Sequence, residues 1–71
     1  MKDWLKVAKV TDDPAGDFVK DARSDSQFPE KVTSLERLRG YLRWRGACSE
    51  AIEAALPAWR RYQTWLKRRA R

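Results

Sequence analysis

The chain reads as an all-α domain, a compact four-helix bundle whose last helix is the longest, and three observations carry that reading. Apolar residues recur at helical spacing in four separate stretches and nowhere alternate as a half-buried strand requires. The helix formers Ala, Leu, Arg, Lys and Glu dominate the sequence. The breaks between the stretches hold helix-stop and helix-start residues, Asp13-Pro14, Thr33-Ser34 and Gly46 among them. Seventy-one residues make one domain, residues 1–71, near the lower size limit for folding without staples. A chain this short buries only about 60% of its unfolded surface. One cysteine and no histidine leave neither an internal disulfide nor the commonest zinc ligand. The core is left to four tryptophans, two phenylalanines and two tyrosines, each able to bury roughly 150–250 Å².

The first element is short: Asp3 is a candidate cap, and Trp4, Leu5 and Ala8 share one face. A helix of that length must dock to persist. Thr11-Asp12-Asp13-Pro14 stops it. Asp13 is then an N-cap, with Pro14 at the first helical position, where a missing N–H costs nothing. In the second helix Ala15, Phe18, Val19 and Ala22 stand at i, i+3, i+4 and i+7, and the helix ends near Ser24. Phe28, ahead of Pro29, is expected to anchor a polar loop to the core. Thr33-Ser34-Leu35-Glu36 reads as a capping box with Thr33 as the cap. The third helix then buries Leu35, Leu38 and Leu42, with Tyr41 at the margin, and stops at Gly46 in the left-handed conformation.

The fourth helix opens at Cys48 or Ser49. Ala51, Ile52, Ala55, Leu56, Trp59, Tyr62 and Leu66 form its expected apolar stripe. Pro57 lies opposite the centre of that stripe on a helical wheel, which favours a bend over a break. Trp59 and Leu42 are expected in the core. The basic end, residues 67–71, is expected to fray.

These segments, in this order, resemble a known family. Asp12-Asp13-Pro14, Gly16-Asp17-Phe18, Asp21-Ala22-Arg23, Phe28-Pro29, Tyr41-Leu42, Gly46-Ala47-Cys48 and Ala58-Trp59 with Tyr62 are similar to the YozE-type small bacterial proteins of SAM-like (sterile alpha motif-like) fold. The resemblance runs from about Trp4 to Trp65. It implies a compact four-helix bundle and brings no functional residues with it. Pro57 departs from the family pattern.

Charge bears on partners. Residues 1–36 carry a net −2 and residues 37–71 a net +8, which together give the +6 of the whole chain. Catalysis is not indicated: there is no histidine, no glycine-rich phosphate loop and no metal-ligand spacing. No cofactor, metal or small-molecule substrate follows from any motif. Asp13, Asp17 and Asp21 align at four-residue spacing, but two of them suit the positive end of a helix dipole, and further ligands for a cation are missing. Cys48 falls on the apolar stripe and is expected to be a buried, unreactive thiol without a histidine partner.

A cytoplasmic, non-catalytic binding domain remains. One lone thiol suits a reducing compartment, and no stretch approaches the roughly 20 apolar residues of a membrane span. Protein association through an acidic and a basic face is the expected function, with a protein partner or a second copy. The alternative is sequence-tolerant nucleic-acid binding on the basic surface of the last two helices. Arg37, Arg43, Trp44, Arg60 and Arg61 are the expected contact residues in either case. Glu50 and Glu53 argue against the fourth helix reading a DNA groove.

Overall fold

The computed structural model describes residues 1–70 and contains four helices: α1 (Lys2–Val7), α2 (Pro14–Arg23), α3 (Leu35–Trp44) and α4 (Ser49–Arg69). No strand occurs among the described residues. The long α4 is the spine: α2 and α3 pack against it, and α1 packs against α2. Arg71, part of the end expected to fray, lies outside the described residues; α4 carries Lys67, Arg68 and Arg69 as its last helical turn.

Local chemistry sets most boundaries. The Asp13 carboxylate accepts from the Gly16 N–H at 2.7 Å, so it caps α2 with Pro14 at the first position. Ala15, Phe18, Val19 and Ala22 are all buried, as their spacing predicts. Phe28 is 3% exposed and fixes the α2–α3 loop. Gly46 has φ 77°; the Gly46 N–H donates to the Arg43 carbonyl and the Ala47 N–H to the Leu42 carbonyl, both at 3.0 Å. That paired closure needs a left-handed residue, which glycine supplies without steric cost.

Several expectations need correcting. Met1 rather than Asp3 occupies the cap of α1, and Asp3 lies in its first turn. Ser34 rather than Thr33 caps α3, accepting from the Arg37 N–H at 3.1 Å. Serine is the better cap of two adjacent hydroxyl residues, and this register puts Arg37 where the box requires a Glu or Gln. Of the α3 stripe only Leu38 is fully buried; Leu35 and Leu42 are half-buried at the core margin.

The largest correction concerns α4. Its buried residues are Ala54, Ala55 and Ala58, while Ile52, Leu56, Trp59 and Tyr62 are half-buried. The inward face is therefore turned by about 75° from the expected stripe, at about 100° per residue. Small side chains let α4 approach α2 closely, which bulky ones at the same place forbid. Trp59 consequently sits at the edge with its ring 5.3 Å from that of Tyr62. Pro57 is half-buried on the flank facing α2 and α3, not opposite the buried face. The helix is continuous through it, so the break is excluded.

Candidate functional site

The expected contact residues divide between two helices. On α3, Arg37, Arg43 and Trp44 are exposed, Trp44 at 74%. Arg37 and Trp44 stand seven residues apart, two turns, on the side away from Leu38. Trp44 is also the outer end of an aromatic relay. Its ring centroid is 6.0 Å from Tyr41, Tyr41 is 5.6 Å from Phe28, and Phe28 is 6.4 Å from Phe18. The indole is thus held from beneath while most of its surface meets solvent.

On α4, Arg60 and Arg61 are exposed, yet Arg61 is engaged within the fold. It donates to Asp13 at 2.5 Å and to the Thr11 hydroxyl at 2.7 Å, while Thr11 donates to Asp13 at 2.7 Å. The Thr11 hydroxyl, the Gly16 N–H and the Arg61 guanidinium together hold the Asp13 carboxyl down at about 2. Arg61 is therefore a clasp between the ends of α2 and α4, and the arginines with room for a partner are Arg37, Arg43 and Arg60.

A second Asp–Arg pair closes the opposite end of α2. Asp25 accepts from the Tyr41 hydroxyl and from the Gln27 N–H, and Arg45 stands 3.4 Å away. The Tyr41 hydroxyl depresses the Asp25 carboxyl most, and burial followed by this bond pushes the Tyr41 phenol up. The two pairs show that α2 and α4 run antiparallel: the start of α2 meets the late part of α4, and its end meets the α3–α4 turn.

Between these two pairs lies a groove of about 760 Å³, walled by α2 and the first half of α4 and closed by the C-terminal turn of α3. Phe18, Ala22, Leu42, Ala51 and Ala54 contribute apolar floor, with Pro14 and Pro57 on opposite walls. Its rim is acidic. Asp17 and Asp21 stand on the α2 wall and Glu50 and Glu53 on the α4 wall. All four are exposed, and none takes part in an ion pair among the described residues. Sequence reasoning noted both acidic pairs but not their meeting. The available signal was their shared spacing of about one turn on two helices of one bundle.

Cys48 corrects a further expectation. It occupies the N-cap position of α4, its thiol makes no capping bond, and it is exposed at the mouth of the groove. The buried face of α4 starts beyond it. No group of three or more His, Cys, Asp or Glu side chains able to hold a metal occurs among the described residues. No helix among them is long and apolar enough to cross a membrane.

A family model described as YozE SAM-like fold matches residues 3–64. Comparison with curated proteins and with solved structures gave no match.

Proposed function

The chain belongs to the YozE SAM-like fold family, and from that premise we propose that it is a non-catalytic, cytoplasmic association domain that binds protein through oppositely charged faces. The observation that supports this reading is the separation of unneutralised charge in a folded domain of this size. Asp17, Asp21, Glu50 and Glu53 gather on one groove, while Arg37 and Arg43 stand out from α3 and Arg60 from α4. Complementary charge of this kind raises association rates and sets orientation more than it adds affinity. Interaction through it is therefore salt-sensitive.

A second reading has one observation in its favour: Trp44, 74% exposed, shares its helix face with Arg37. That pairing suits base stacking with phosphate contact, without sequence readout.

Affinity capture on the immobilised domain, with and without nuclease, tests both. The measurement is made at about 0.01 M and about 1 M salt, between which the screening length falls from about 30 to about 3 Å. Nuclease-resistant protein partners released by high salt are the expected result. Capture that disappears with nuclease replaces this reading with the second, and no capture at either salt sinks both.

A further inference from the structure

We propose that the groove between α2 and the first half of α4 is the docking site for a cationic, amphipathic helical segment of a partner protein. The proposal rests on the association reading and assigns its acidic face. Each attribute of the occupant comes from a different feature of the groove.

The charge comes from the rim. The protein carries a net +6, so it repels cations in general, and the groove is its local exception. Asp17 and Asp21 face Glu50 and Glu53 across the floor with no basic partner among the described residues. Arg45, which lines the α3 end of the groove, is paired with Asp25, and Arg61 is paired with Asp13 at the start of α2. Lysine or arginine side chains laid along both walls relieve the repulsion between like charges; phosphate groups would increase it.

The apolar face comes from the floor. Ala22, Ala51 and Ala54 line the groove with short side chains, and the volume above them is sufficient for leucine-sized side chains. The helical form comes from length. The α4 wall runs from Glu50 to Pro57, about 12 Å at about 1.5 Å per residue, or just over two turns of a helix laid between two others.

A second folded copy does not meet these demands. Among the described residues Val7, Val10 and Trp44 are the exposed large apolar ones, scattered over α1, the α1–α2 loop and α3. The basic last turn of α4 offers charge, but the Trp65 ring stacks on Tyr62 and lies under the Arg69 guanidinium. The half-buried Ile52 and Leu56 of α4 stand on the same turns as Glu50 and Glu53, so a second copy presenting them would set acid against acid, and the occupant is assigned to a different protein.

The test uses a fluorescein-labelled peptide of about 12 residues, leucine at i, i+3, i+4 and i+7 and lysine elsewhere, titrated against the whole domain by anisotropy at about 0.1 M salt. Asp21→Lys with Glu53→Lys reverses one charge on each wall. Asp3→Lys with Glu36→Lys makes the same change in net charge at exposed acids outside the groove. Wild-type protein is expected to bind the peptide. The groove reversal should weaken binding at least about tenfold and the outside reversal less than about threefold. Circular dichroism checks that each variant is folded, and Asp21→Asn with Glu53→Gln, which keeps shape while removing charge, should give an intermediate loss. Equal weakening by the two reversals, binding of a glutamate-for-lysine peptide with the same affinity and the same dependence on Asp21 and Glu53, or no binding to wild type overturns the groove. Any of these with salt-sensitive capture intact leaves the association reading standing, whereas loss of capture at both salts overturns that reading itself.

Discussion

Replacing Gly16 by alanine should destabilise this domain, although the same change in the middle of a helix ordinarily stabilises it. Gly16 is buried in the first turn of α2, against the backbone of Thr11. A Cβ built there falls 1.8 Å from the Thr11 carbonyl oxygen and 2.5 Å from the Thr11 nitrogen and carbonyl carbon. Ordinary contact begins at 3.4 Å, so the α1–α2 connection must retreat by about 1.6 Å, and it is backbone, which cannot rotate aside. That retreat pulls Thr11 from Asp13 and Arg61 and loosens the Asp13 cap. Overpacking costs roughly 1–3 kcal/mol and a weakened cap about 1, against about 1 kcal/mol gained in helix propensity. The expected net loss is about 1–3 kcal/mol, a large share of the stability of a small domain. Gly40 is the internal control: it is exposed in α3, and a Cβ there meets nothing within 4 Å. Gly40→Ala should therefore stabilise by about 0.5–1 kcal/mol. Urea unfolding followed by tryptophan fluorescence measures both. A Gly16→Ala protein as stable as wild type would refute the reasoning, because it would mean that Thr11 does not pack against α2 as described.

Other expectations follow from the same contacts. The Asp13 carboxyl is held down at about 2, below its unfolded value of about 4. Its contribution to stability is present above pH about 4 and is lost as the pH falls from about 4 to about 2. Asp13→Asn should flatten the acid-unfolding curve in that window, and an unchanged curve would remove Asp13 from the clasp. Leu38→Ala should cost about 2–5 kcal/mol, since Leu38 is fully buried. Leu42→Ala and Trp59→Ala, at half-buried positions, should each cost less than Leu38→Ala in the same urea series; the reverse order would place the core elsewhere. Cys48 is exposed, so a thiol reagent should label the folded protein within a few-fold of the rate for the unfolded chain, and strong protection on folding would contradict the described α3–α4 turn.

The parts of this fold that were legible in the sequence are those set by neighbours in the chain. Asp13-Pro14 caps α2 because cap and first helical residue are adjacent. Gly46 ends α3 because one left-handed residue suffices. Phe28 is buried because it is the large apolar residue of a polar loop. The misread positions were decided elsewhere. Thr33 and Ser34 offer competing caps within one residue, and nothing local separates them. In α4 a stripe weighted by large side chains pointed to Ile52, Leu56 and Trp59, whereas close packing selected Ala54, Ala55 and Ala58. Cys48 was misplaced by the same error, since the rotated face leaves it in solvent. Arg61 carries no mark of its pairing with Asp13, 48 residues earlier. The groove was least legible of all: its two acidic walls lie on segments nearly thirty residues apart, and only the antiparallel packing of α2 and α4 sets them face to face.

Pro57 gives α4 a division of labour that its single span conceals. Lacking an N–H, it leaves the fourth carbonyl before it, that of Glu53, without a helical partner, so the ladder of amide bonds has one missing rung. Residues before the rung build the groove wall. Residues after it hold the aromatic rings against Trp4 and the clasp on Asp13. Amide hydrogens on the two sides are therefore free to exchange with solvent at separate rates, each set by its own tertiary contacts. Hydrogen exchange followed residue by residue along α4 should step at Pro57, the half that carries Ala54 and Ala55 and the half that carries Arg61 and Tyr62 each showing its own protection.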